Sequence, residues 1–271
     1  MQTPETHRIC LTLHYDGGAF YGWQLQPADR TVQGELERVL ARLVNAPVRV
    51  IGSGRTDRGV HATGQVASLD APTKWTPHAL SRALNALLPD DVRVVDARVV
   101  PATFHPRYGA VRRSYVYRVG LSELTKSPFH ARWCWPLAAE LDLGAMEAAT
   151  AVILGDHSFR AFAKAGQEER GDRCEVRAAR WVEWEGLGVQ LEIGANRFLH
   201  HMVRYLVGTL VDIGRGRRPV ADMERLLDPD SGLETSPPAP PEGLFLHAVD
   251  YPPEAWGESG PPPRPGRDHL P

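Results

Sequence analysis

Apolar residues along the chain recur in two rhythms. Residues 8–15 (RICLTLHY) alternate apolar and polar positions, the period of a half-buried strand, and Asp16-Gly17-Gly18 follows as a turn. In residues 31–43 a cap-type Thr31 precedes Leu36, Val39, Leu40 and Leu43 at helical spacing. Short strands are predicted at 48–51 and 66–69, with the glycine-rich loop 52–59 between them. A second helix is predicted over 77–87 and a strand over 92–100. The pattern then returns: a strand over 114–119, a helix over 142–154, paired strands over 175–185 and 188–193, a long apolar helix over 197–214, and a last strand over 243–249. Strands and helices interspersed in this way predict an α+β fold, two α/β halves with mixed or antiparallel sheets flanked by helices. The expected division is 1–105, carrying the glycine-rich loop, and 106–251. Thirteen of the 23 prolines lie at 219 or beyond, and residues 252–271 are expected to be a disordered, proline-rich tail.

Composition changes the picture little. At 271 residues, 42% hydrophobic and 24% charged, the chain can bury a sizeable core without disulfides. No apolar run is long enough to span a bilayer, and residues 1–10 lack the apolar segment of a secretory signal. Cys10, Cys134 and Cys174 are scattered, which fits a reducing cytoplasm. The net charge of −2 does not by itself point to nucleic acid. Its make-up does: only Lys74, Lys126 and Lys164 are lysines among 31 basic residues. Arginine grips phosphate bidentately and stacks on bases, although GC-rich codons alone produce the same bias.

Four segments concentrate chemistry. In residues 52–65 (GSGRTDRGVHATGQ) Asp57 stands between Arg55 and Arg58 among glycines. Neighbouring positive charge keeps such a carboxylate ionised, suiting a nucleophile or an electrostatic stabiliser, or else a turn held by an ion pair. The loop is neither a P-loop nor a dinucleotide fingerprint. Residues 104–118 (FHPRYGAVRRSYVYR) interleave Arg107, Arg112, Arg113 and Arg118 with Tyr108, Tyr115 and Tyr117, a pattern for phosphate contacts and base stacking or for a basic edge strand. In residues 196–218, Arg204 lies on an apolar helix face, where a buried cation needs a partner such as Asp57. His200 and His201 are adjacent rather than at metal-ligand spacing. In residues 16–24, Phe20, Tyr21 and Trp23 read as core packing or as contacts to RNA.

Residues 54–62 (GRTDRGVHA) resemble the signature of the TruA-type tRNA pseudouridine synthases. The resemblance extends through residues 15–24, 104–107 with 113–117, 198–204 and 243–252, in the family's order. Pro106 and Ser114 depart from its usual residues. It implies a pseudouridine synthase fold with an active-site cleft between the halves, and isomerisation of uridines 38, 39 and 40 in the tRNA anticodon stem–loop. It implies no metal and no other cofactor, and a cytoplasmic homodimer with tRNA touching both subunits. Asp57 takes the role of catalytic nucleophile, Arg204 its salt-bridge partner, and Tyr115 the ring stacked on uracil and a candidate for proton transfer. Leu246 is expected to line the uracil pocket. Arg55, Arg58, His61, Gln65, Arg107, Arg112, Arg113 and His201 are expected to contact the substrate. A non-catalytic RNA-binding protein and a metal-dependent phosphoesterase are the alternative readings.

Overall fold

The computed structural model describes residues 5–164 and 171–262. It divides into two compact units, one made of residues 1–111 and 246–271 and the other of residues 112–245. The boundary falls at 111 rather than 105. Residues 246–251, expected in the second half, return to the first unit because the last strand pairs there.

In the first unit, β1 (Thr6–Tyr15) runs antiparallel to both β3 (His61–Pro72) and β4 (Val92–Val100). The short β2 (Ile51–Gly52) also pairs antiparallel with β3. The strand order is β4-β1-β3-β10, where β10 is Leu244–Asp250. Helix α1 (Val32–Val44) buries Val32, Leu36, Val39 and Leu40 and is capped by Thr31, whose side chain accepts from the Gly34 amide. It stops at Asn45, in the left-handed conformation at φ 57°. Helix α2 (Pro77–Asn85) is capped in the same way by Thr76 and has proline in its first turn, where no amide is needed.

Strand β3 is three times the predicted length. Residues 61–69 are buried without interruption, so the alternation that marks a one-faced strand is missing from the sequence. The expected disorder from 252 is also not what the first unit has. Residues 253–259 form 3₁₀ turns, and Trp256 is buried against Phe104 and Tyr251, with ring centroids 5.4 and 5.2 Å away. Burial of these three aromatic rings outweighs the entropy of ordering a proline-stiffened segment. Residues 263–271 lie outside the described residues.

In the second unit the order is β5-β9-β8-β7. Strand β5 (Arg112–Gly120) pairs antiparallel with β9 (Gly188–Ala195), which pairs antiparallel with β8 (Arg173–Trp184). The edge strand β7 (Gly155–Ser158), not predicted, adds to β8, and the two-residue β6 (Trp135–Pro136) pairs parallel with β5, which makes the sheet mixed. Helices α3 (Pro128–Ala131), α4 (Leu143–Val152), α5 (Met202–Gly214) and α6 (Asp222–Leu227) complete the unit. Helix α5 begins five residues later than predicted, because His201 stands in the left-handed region at φ 66° and breaks the helical run. None of the described helices is long and apolar enough to cross a membrane.

Candidate functional site

The glycine-rich loop of the first unit is fixed by the aromatic turn that precedes α1. The Trp23 amide donates to the Thr56 carbonyl at 3.1 Å, and the Gly59 amide donates to the Phe20 carbonyl at 3.3 Å. The Val60 amide closes a turn onto the Asp57 carbonyl at 3.1 Å. Gly22, at φ 91°, lies so near this turn that a Cβ would stand 2.6 Å from the Thr56 carbonyl oxygen. Gly59 at φ 81° supplies the second backbone conformation the loop requires. Asp57 is therefore held at a turn fixed on both sides, and its side chain is half-buried.

Beneath the loop lies a buried polar chain. Gln65 donates from Nε2 to the Gly54 carbonyl at 3.1 Å and accepts at Oε1 from the Ser53 hydroxyl at 2.8 Å. The Tyr15 and Thr56 hydroxyls are 2.8 Å apart. His61 Nδ1 accepts from the Gly17 amide at 3.0 Å. Gln65 and His61, expected among the substrate contacts, are buried, and these bonds direct the Gln65 amide and the His61 Nδ1 to the protein. Buried polar groups must be satisfied, and satisfying them here anchors the loop. Leu246, on β10, is buried as well.

The three aromatic residues of the turn divide. Phe20 and Trp23 are core, whereas Tyr21 is 42% exposed and carries the Arg58 guanidinium over its ring at 4.1 Å. Arg55 is exposed on the other side of Asp57 in sequence. Arg107 is partly buried, with its guanidinium 5.9 Å from the exposed Tyr108 ring.

In the second unit, β5 carries the other basic and aromatic residues. Tyr115 is half-buried and meets the Phe198 ring edge-on, with centroids 5.0 Å apart at 84°. Two residues on, Tyr117 is fully buried and donates to the Pro240 carbonyl at 2.7 Å. Arg113 donates to the Asn196 carbonyl at 3.2 Å, and Arg112 packs over Gly194, where a Cβ would stand 2.6 Å from its Nε. Arg118 departs from the predicted basic surface. It is buried between the Trp184 and Phe245 rings, 4.8 and 5.1 Å from their centroids, and burial lowers its pKa to about 10. The arginines after α5 are ion-paired: Arg217 meets Asp212 at 3.3 Å and Arg218 meets Asp222 at 3.2 Å.

Helix α5 holds Arg204 in its first turn. Its Nε donates to the Ala239 carbonyl at 2.7 Å, and the Ala239 amide donates back to the Arg204 carbonyl at 2.9 Å. Residues 237–240 belong to no helix or strand and Pro241 opens a 3₁₀ turn; the Pro237 carbonyl lies so near Gly208 of α5 that a Cβ would stand 2.0 Å from it. The rings of His200 and His201, with centroids 4.1 Å apart and tilted at 50°, sit just before the helix.

A family model described as tRNA pseudouridine synthase matches residues 12–109 and 149–252. The class is thereby set, an isomerase of the pseudouridine synthase kind with an α+β fold. A protein of Myxococcus xanthus named "tRNA pseudouridine synthase A" is 42% identical, covering 95% of this chain and 94% of that relative. A relative of the same name from Methylacidiphilum infernorum is 41% identical over 90% and 95% of the two chains. The chain belongs to the tRNA pseudouridine synthase family, enzymes that isomerise uridine to pseudouridine in tRNA. A solved structure titled "Structure of H/ACA RNP bound to a substrate RNA containing 2'-deoxyuridine" overlays at a TM-score of 0.37 and 13% identity, covering 76% of this chain and 44% of that one; it is too remote to inform the site.

Proposed function

We propose that this chain converts uridines 38, 39 and 40 of the tRNA anticodon stem–loop to pseudouridine, with Asp57 as the essential carboxylate. The observation that carries the reading is the placement of Asp57, within the GRTDRGVHA signature, on a turn held by Trp23 and Phe20 and backed by buried Gln65 and His61. A carboxylate so fixed has little positional freedom left to lose when it attacks. The reaction moves one bond: the N1–C1′ bond breaks, uracil turns, a C5–C1′ bond forms, C5 gives up its proton and N1 takes one up, so the product is an isomer of the substrate. Neither electrons nor atoms of a second substrate are needed.

Arg204 is assigned to pair with the Asp57 carboxylate and orient it. Tyr115 stacks on the uracil and serves the proton transfer at C5. Its phenol needs help as a base at neutral pH. Leu246 lines the uracil pocket. Arg55, Arg58, Arg107, Arg112, Arg113 and His201 contact the RNA, while His61 and Gln65 act by holding the loop. The target base must leave its stack, at a cost of a few kcal/mol that the arginine contacts to the backbone offset. Three adjacent target sites call for recognition by shape and backbone rather than base sequence. The enzyme works in the cytoplasm as a homodimer with one tRNA touching both subunits.

The test is tritium release from tRNA labelled at uridine C5, comparing the wild type with Asp57→Asn. Release by the wild type and none by the variant, with tRNA binding retained, supports the reading. Binding without release by the folded wild type overturns it in favour of a non-catalytic RNA-binding protein. Loss of release in EDTA points instead to metal-assisted chemistry.

A further inference from the structure

Two arginines stack on neighbouring rings of the aromatic turn, and their surroundings differ. The Arg30 guanidinium lies 4.1 Å from the Phe20 ring centroid, and its donors are engaged by Asp91 at 2.7 and 2.9 Å and by Glu35 at 3.4 Å. That pair closes the turn. The Arg58 guanidinium lies at the same 4.1 Å from the Tyr21 ring, but both residues are exposed. Among the described residues no carboxylate is ion-paired with Arg58. Stacking restrains the plane of this exposed guanidinium, and a guanidinium so restrained is suited to grip a phosphate bidentately.

The stack is also coupled to the catalytic loop. Gly22 follows Tyr21 directly and is wedged against the Thr56–Arg58 backbone, where a Cβ would stand 3.2 Å from the Asp57 carbonyl carbon and 3.3 Å from the Arg58 nitrogen. The Tyr21 amide is tied to the Arg30 carbonyl at 2.9 Å, and Gln26 donates to the Tyr21 carbonyl at 3.1 Å. The ring is thus a fixed platform one residue away from Asp57's neighbour, not a side chain on a mobile tip.

We propose that Tyr21 is a positioning residue that holds Arg58 edge-on as a clamp for a phosphate of the RNA backbone beside the reacting uridine. The proposal rests on the tRNA reading above and deepens it. Without the ring, Arg58 remains charged but loses its fixed plane, so its contact to the phosphate weakens while the electrostatic attraction of the loop persists.

The experiment measures tRNA affinity against salt concentration, together with single-turnover tritium release, for the wild type, Tyr21→Ala, Tyr21→Phe, Arg58→Ala and the double variant Tyr21→Ala/Arg58→Ala. Arg58→Ala is expected to lower the slope of log affinity against log salt by about 1, the loss of one phosphate contact. Tyr21→Ala is expected to weaken binding about 2- to 5-fold, the range of an exposed cation–π pair, and Tyr21→Phe to restore most of it. The double variant is expected to bind no more weakly than Arg58→Ala alone, since the ring acts only through the arginine. Thermal unfolding confirms that each variant is folded. An unchanged salt slope in Arg58→Ala overturns the clamp. Additive losses in the double variant, or Tyr21→Phe as weak as Tyr21→Ala, overturn the role of the ring. A wild type that releases tritium while either of these holds leaves the enzyme reading intact and removes the clamp alone. A wild type that binds no tRNA removes both.

Discussion

Gly17 and Val60 lie so close that a Cβ on Gly17 would stand 2.0 Å from the Val60 carbonyl oxygen. Gly17 belongs to the turn after β1, and Val60 is the last residue before β3, three past Asp57. The contact makes the turn the seat of the loop that carries Asp57, and the Gly17 amide adds its bond to His61. Gly17→Ala must push the two segments apart. The expected cost is about 1–3 kcal/mol of stability, read from urea unfolding. Because small misplacements of a reacting group are costly, tritium release should fall more than about tenfold while tRNA affinity changes little. Wild-type release by a destabilised Gly17→Ala would show that the loop tolerates the shift.

Substitution of Tyr115 separates the two roles proposed for it, stacking and proton transfer. Its ring meets Phe198 edge-on, so Tyr115→Phe keeps both that contact and any stack on a base. Affinity for tRNA should stay within about threefold, whereas single-turnover release should drop roughly 100-fold if the hydroxyl serves the proton at C5. Tyr115→Ala should lose affinity as well, by about the worth of one base–aromatic stack, 1–3 kcal/mol. Normal release by Tyr115→Phe would confine the residue to stacking.

The three thiols are expected to be silent. Cys10, Cys134 and Cys174 are all buried, and burial pushes the Cys134 and Cys174 thiols up to about 11 and that of Cys10 higher still. The thiolate is the reactive form, and it is scarce at neutral pH in such surroundings. Native protein should react with a disulfide reagent at less than about a tenth of the rate of urea-unfolded protein. Iodoacetamide applied to the folded enzyme should leave tritium release unchanged. Rapid native labelling with loss of activity would place a cysteine near the chemistry.

The sequence made some of these relationships legible and hid others for identifiable reasons. Helix α1 was readable because its apolar residues fall on one stripe and Thr31 caps it locally. The start of α5 was not, because the apolar spacing continues through residues whose backbone leaves the helix at His201. The candidate residues stood out through their types and spacing, but what supports them is non-local. Gln65 and Gly54, or Tyr21 and Arg58, meet only once β3 and the aromatic turn are in place. Arg118 looked like its basic neighbours, and only the alternation of β5 against Trp184 and Phe245 shows that it faces inward. The packing of residues 237–241 along α5 carries no periodic signal at all, since it depends on one small residue, Gly208, on the helix.

The bond from Tyr117 to the Pro240 carbonyl gives stability a definite pH dependence. Burial pushes the Tyr117 phenol well above its usual value of 10.0. The folded state therefore keeps a proton that the unfolded chain loses, and the contribution is complete below pH 10 and falls away as the pH rises past it. Cys134 and Cys174 act in the same direction, from 9.0 toward about 11. Arg118 acts in the opposite direction: with its pKa lowered from the usual guanidinium range to about 10, its unfolded form binds the extra proton, and its contribution to stability rises over that interval. Tyr117→Phe removes one term from this balance. At neutral pH the variant should be about 1 kcal/mol less stable, because the Pro240 carbonyl loses its donor. Urea unfolding followed from roughly pH 8 to 11 should show that deficit shrinking above pH 10, as the wild type becomes obliged to bury a phenol that water would ionise. A deficit that stays constant across the range would mean that the Tyr117 phenol titrates alike in the folded and unfolded chains.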